Sequence, residues 1–202
     1  MYLIFDSETS NLPQKGIDLD HPCQARILQL SAILLDDELK EVGNCSTLIK
    51  VPEGTQIHPQ AFSKHGLTVE KCRKYGVTIE YALQLFLDLL KNAEMIIGFN
   101  VEFDKKMLDM ESYRLFENPI AWINNEIPLR EACMMKHSTP FVKLSFPNGK
   151  NMFGQKYKWP KLEEAYAYFF HKLIEGQHDA SIDCKATKDI FVHLVEIESI
   201  EF

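Results

Sequence analysis

Long apolar runs are missing from this sequence, and the most hydrophobic stretches, such as Ile33–Leu35, fall far short of the length that spans a bilayer. No basic leader or small-residue cleavage site precedes Tyr2, so the expectation is a cytoplasmic chain with no membrane association. The five cysteines (Cys23, Cys45, Cys72, Cys133, Cys184) are odd in number and show no CxxC spacing. That pattern argues against both a disulfide framework and a thiolate metal site. A basic excess is also lacking. The net charge of −7 speaks against a broad duplex-binding surface. Low-complexity tracts and internal repeats are absent too, so the 202 residues read as one domain spanning 1–202.

What is present alternates between strand and helix patterns. Tyr2–Asp6 predicts a short buried strand, and Arg26–Leu35 and Val42–Val51 predict two more, joined by the polar turn Asp36–Glu41. Thr78 is suited to cap a helix over Ile79–Asn92, with Leu83, Phe86, Leu87 and Leu90 on one face. Met95–Phe99 predicts a strand, followed by a helix from Glu102 to Phe116. Ala132–Pro160, with its Pro and Gly, reads mostly as loop, and Leu162–Leu173 and Ala180–Ile197 as closing helices. Three early strands followed by mixed elements predict an α/β domain with a mixed sheet.

Charge is unevenly distributed along the chain. Ala132–Leu162 holds no Asp or Glu but six lysines: Lys136, Lys143, Lys150, Lys156, Lys158 and Lys161. Phe141, Phe146, Phe153, Tyr157 and Trp159 are interleaved with them, which makes this stretch either a strand-guiding surface or a solvated loop.

Three short segments carry chemistry. Asp6 and Glu8 are two apart at the end of a strand, so both carboxylates face one side. Paired hard-oxygen ligands of this kind suit Mg²⁺ or Mn²⁺. Asp104 falls in the first turn of a predicted helix, close behind Asn100. His178 lies just before a helix and Asp183 within it, with small Ala180 between them allowing close approach to a strand. Four carboxylates and one imidazole from separate segments are what two-metal phosphodiester hydrolysis requires. Two such ions would move the net charge from −7 to −3.

The order Asp6-x-Glu8, Asn100-x-x-Phe103-Asp104 and His178-x-Ala180-x-x-Asp183 resembles the DEDDh 3′→5′ exonuclease family. That family includes the proofreading subunit of bacterial DNA polymerase III, ribonuclease T and the three-prime repair exonucleases. His65-Gly66-Leu67-Thr68 and Lys158-Trp159-Pro160-Lys161-Leu162 extend the likeness, which runs from Asp6 to Leu194. It implies a ribonuclease H-like mixed sheet flanked by helices in a single domain. Two Mg²⁺ or Mn²⁺ ions would be bound by Asp6, Glu8, Asp104 and Asp183, with His178 as general base. Thr9, Leu12, His65 and Phe103 would contact the terminal nucleotide.

The implied partner is a nucleic-acid 3′ end, with a polymerase or repair complex as a candidate further partner that the sequence does not identify. DNA is favoured over RNA because Trp159–Leu162 looks like the DNA-acting branch. Rival expectations are an exoribonuclease, a catalytically silent nucleic-acid-binding module, and a metal-dependent phosphatase. Two positions depart from the pattern. Asn11 stands where glycine is usual and is expected to supply a left-handed turn; Glu131-Ala132-Cys133-Met134 replaces Asp-Thr-Met, which bears on helix capping.

Overall fold

The computed structural model describes residues 1–146 and 156–197. Strand β1 (Tyr2–Thr9) pairs antiparallel with β2 (Ile27–Leu35), which pairs antiparallel with β3 (Glu41–Leu48). Helices α1 (Pro59–His65), α2 (Val69–Tyr75) and α3 (Ile79–Leu90) follow. The chain then adds β4 (Met95–Gly98) parallel to β1, and helix α4 (Val101–Phe116). A small hairpin of β5 (Ile123–Asn124) and β6 (Ile127–Pro128) leads to β7 (Arg130–Cys133), parallel to β4. Helices α5 (Met134–Val142), α6 (Leu162–Phe170) and α7 (Ala180–Glu196) complete the fold. The sheet order is β3-β2-β1-β4-β7.

Strand alternation sorts the core into two layers. Leu3 and Phe5 face α3 and α4, where Leu83, Phe86, Met107 and Leu108 are buried. Phe5 and Phe86 meet edge to face with ring centroids 5.2 Å apart, a favoured aromatic geometry. Tyr2 and Ile4 face the opposite way, onto Leu162 of α6 and Cys184, Ile190 and Phe191 of α7. The same alternation, continued, sends Ser7 to the α4 side and Asp6 and Glu8 to the α7 side.

Most of the expected elements are observed with ends shifted by one to three residues. Thr78 caps α3 through the Tyr81 backbone N–H, and Leu83, Phe86 and Leu90 are buried while Leu87 is partly exposed. Ala132–Pro160 is not mostly loop among the described residues: it contains the end of β7, all of α5, and a bridge between Leu144 and Lys158. Pro140 reads as a helix breaker, yet it sits in the last turn of α5, which buried Met134 and Ser138 anchor. As the missing Asp-Thr-Met suggests, α5 begins at Cys133 with no side-chain cap. Residues 147–155 of that stretch, Lys150 and Phe153 among them, lie outside the described residues.

Candidate active site

The register sets the site. Ile4 pairs with Ile97 of β4, so β1 runs beyond the end of β4 and Asp6 and Glu8 lie beside the start of α4. Gly98 makes this turn possible, since a Cβ there would stand 2.9 Å from Val101 Cα. Buried Asp104, one turn into α4, reaches β1 from one face of the sheet. Its Oδ1 accepts from Ser7 Oγ at 2.6 Å and from the Ser7 backbone N–H at 3.0 Å.

Asp183 arrives from the other face. Asp179 caps α7 through the Ser181 N–H at 2.9 Å, and Gln29 of β2 holds this end to the sheet. The Gln29 amide donates to Asp179 Oδ2 at 3.2 Å and accepts the Ala180 N–H at 3.2 Å. Ala180 is fully buried in this close approach, as its small size predicts. His178 lies before the helix with φ 67°, a left-handed backbone that costs about 1–3 kcal/mol in a non-glycine residue. Its N–H donates to Asp183 Oδ2 at 3.2 Å, which holds that conformation.

Asp6, Glu8, Asp104, Asp183 and His178 thus meet at one end of β1. Ligand atoms of Glu8, His178 and Asp183 lie within 4.8 Å of one another. Burial, then repulsion from Asp104, Asp183 and Glu8, pushes the Asp6 carboxyl well above its usual range. Burial, then repulsion from Asp183 and Asp104, pushes Glu8 to about 8. Asp104 rises to about 7 by burial despite the Ser7 hydrogen bonds, and Asp183 to about 6. Burial lowers the His178 imidazole, with Lys64 adding to the effect. None of the four carboxylates has an ion-pair partner among the described residues. Buried Asp183 Oδ1 has no hydrogen-bond partner among the described residues. Mutual repulsion and an orphaned carboxylate oxygen fit a group of hard-oxygen ligands suited to a divalent cation.

A cleft of about 590 Å³ opens beside these groups, lined by Thr9, Leu12, His65 and Phe103 together with Glu8 and His178. Leu12 is exposed at the rim, and Phe103 packs its inner side on the core while facing the cleft. His65 Nδ1 accepts the Leu67 N–H at 2.9 Å, so its Nε2 carries the proton and donates to the Thr9 carbonyl at 3.2 Å. With both nitrogens engaged by the chain, His65 can offer a nucleotide only its ring. Asn11 is not left-handed; its turn is held by Leu12 N–H donating to Asn11 Oδ1 at 2.8 Å.

Ser7, Gln29 and Lys64 were not singled out from sequence, and Asn100 was named in its motif without a role in the site. Asn100 lines the cleft and makes no capping hydrogen bond, so its amide is free for other partners. Lys64 and His58 line it too, brought there by α1. Pro59 at the first helical position was the signal that could have found that helix.

The five-stranded mixed sheet between helical layers is a ribonuclease H-like fold, with the acidic cluster at the end of its first strand. The exonuclease family model matches residues 3–191. The chain belongs to that family, the DEDDh 3′→5′ exonucleases. No curated protein sequence matches it at a significant level.

Among solved structures, Escherichia coli exonuclease I in complex with a dT13 oligonucleotide matches with a TM-score of 0.73 at 22% identity. The alignment covers 96% of this chain and 40% of that one. The zinc-bound complex of the same enzyme with single-stranded DNA gives 0.73 at 23% identity, covering 98% and 40%. Its complex with a dA16 oligonucleotide gives 0.72 at 22%, covering 96% and 40%. The chain therefore spans about two fifths of the length of these structures. No helix among the described residues is long and apolar enough to cross a membrane.

Proposed function

We propose that this chain hydrolyses the terminal phosphodiester bond at the 3′ end of DNA and releases nucleoside 5′-monophosphates. The convergence of Asp6, Glu8, Asp104 and Asp183 around one point beside His178, with Asp183 Oδ1 buried and unpaired, carries this reading. Mg²⁺ or Mn²⁺, as a pair of ions held by these four carboxylates, would supply the positive charge that lets them ionise together and offsets charge building on the phosphate.

The chain's own groups divide the remaining work. His178, neutral near pH 7 because burial lowers its pKa, draws a proton from the attacking water. Ser7 orients Asp104, and the His178 N–H orients Asp183. Phe103 and Leu12 receive the terminal base and sugar, and stacking on an aromatic ring is worth about 1–3 kcal/mol without reading sequence. Thr9 and the ring of His65 complete the wall of this nucleotide site.

DNA is chosen because the solved proteins that share the fold hold DNA oligonucleotides. The free cysteines agree with a reducing, cytoplasmic setting. Matched DNA and RNA oligonucleotides labelled at the 5′ end, incubated with Mg²⁺, Mn²⁺ or EDTA, test the reading. The expected result is a metal-dependent ladder shortening one nucleotide at a time, faster on DNA. Faster shortening of RNA would move the substrate to RNA. Release of inorganic phosphate with no shortening, or binding without cleavage, would overturn the exonuclease reading.

A further inference from the structure

We propose that single-stranded nucleic acid extending from the catalytic cleft is held by a second, basic and aromatic surface, formed where the end of α5 meets Lys156–Trp159. The occupant rests on the exonuclease reading; the surface itself rests on different residues. Lys158 N–H donates to the Leu144 carbonyl at 2.9 Å, and this bridge sets the end of α5 beside the Lys156–Trp159 segment. Lys143 takes a left-handed backbone (φ 53°) as it closes α5. A depression of about 500 Å³ results, lined by Lys136, Lys143, Lys156, Tyr157 and Trp159 among others and, among the described residues, by no carboxylate.

The ion pairs decide which lysines are available. Lys136 is matched by Glu102 at 2.5 Å, Lys158 by Glu164 at 3.5 Å and Lys161 by Glu163 at 3.3 Å. Lys143 and Lys156 have no carboxylate partner among the described residues. The Lys156 ammonium stands 5.3 Å from the Tyr157 ring centroid, and Trp159 leaves 43% of its surface open to water. Two uncompensated cations beside two aromatic rings, on a chain of net charge −7, complement a polyanion that also presents flat faces.

Three contacts tie the elements of this surface to those of the cleft. Glu102, the partner of Lys136, directly precedes Phe103 of the cleft wall. At the start of α5, Met135 N–H donates to the Phe99 carbonyl at 2.9 Å, next to Asn100. On the other flank, Glu163 accepts from Gln177 at 2.8 Å, the neighbour of His178. A strand whose terminal nucleotide sits on Phe103 would reach Lys143, Lys156 and Trp159 by running along α5.

The test uses the full chain and two variants, Lys143→Ala/Lys156→Ala and Trp159→Ala. Binding of a fluorescent oligothymidylate of about twelve nucleotides is followed by anisotropy in EDTA across a salt series. Cleavage of that substrate and of a dinucleotide is followed separately in Mn²⁺. Loss of two phosphate contacts should flatten the slope of log K against log salt by about 1.4. Trp159→Ala should weaken binding by about fivefold or more. Dinucleotide cleavage should be unchanged in both variants, and so should thermal unfolding. An unchanged slope in the double variant, or equal losses on the dinucleotide and the longer strand, would overturn the proposal. A wild-type chain that cuts neither substrate counts against the exonuclease reading alone, because binding in EDTA still reports on the surface.

Discussion

Ser7 Oγ donates to Asp104 Oδ1 at 2.6 Å, and the Ser7 backbone N–H reaches the same oxygen at 3.0 Å, joining residues 97 apart in the chain. Ser7 lies between Asp6 and Glu8 and points to the opposite side of β1. One strand therefore presents two carboxylates to α7 and a donor to α4, and the donor fixes the carboxylate that α4 brings.

The first prediction follows from that pair. Ser7→Ala leaves only the backbone N–H to orient Asp104. Groups that orient metal ligands typically contribute 10–100-fold in affinity. With the backbone bond retained, Mn²⁺ binding should weaken by about 10-fold, read by titration calorimetry. Unchanged affinity would remove Ser7 from the site.

Stability should depend on pH in a sense opposite to ordinary acid denaturation. Asp6, Glu8, Asp104 and Asp183 are all raised by burial above their unfolded values, to about 8, 7 and 6 for the last three. Between pH 4 and 8 the folded metal-free chain thus binds more protons than the unfolded one, so these groups' contribution is full near pH 4 and lost as pH rises toward 8. Metal-free protein should melt higher at pH 5 than at pH 8, and Mn²⁺ should raise Tm most at pH 8. A domain of this size shifts by about 2–4 °C per kcal/mol. Differential scanning fluorimetry with and without EDTA checks the sign, and a metal-free Tm that rises steadily to pH 8 would contradict it.

His178→Ala should slow nucleotide release by about 10²–10⁴-fold, because a positioned base is lost while the ion-holding carboxylates remain. Mn²⁺ affinity measured alongside should change little. A variant that loses metal and rate together would make His178 a ligand in place of a base.

Gln29→Leu addresses the anchor of α7. It leaves the buried Ala180 N–H without its acceptor and Asp179 Oδ2 without its Gln29 donor, at a cost of about 1–3 kcal/mol. His178 and Asp183 hang from that helix end. The rate constant should therefore fall more than KM rises, and Gln29→Glu should not restore it, because a carboxylate beside Asp179 adds repulsion.

Much of the site was legible because its signals are local. Thr78 announced α3 through a cap, and the spacing of His178 and Asp183 placed one before a helix and the other in it. Helix α5 was not legible. It starts without a cap and contains Pro140, and it exists because Met134 is buried and Phe141 packs on Phe169. The six lysines of the Ala132–Leu162 stretch looked alike in sequence. The partners of Lys136, Lys158 and Lys161, namely Glu102, Glu164 and Glu163, lie outside that stretch, so only the fold shows which lysines are already matched.

By itself the sequence determined which groups are available and how each is aimed within its own element: Asp6 with Glu8 by strand alternation, Asp104 in a first helical turn, His178 ahead of a helix. Only the tertiary structure decided that Asp104 and Asp183 reach β1 from opposite faces, that Ser7 and Gln29 hold them there, and that Asp183 Oδ1 is left without a partner. Backbone period is set by covalent geometry over a few residues. Convergence over tens to hundreds of residues is set by sheet order and by the two packed layers that press the helices onto it.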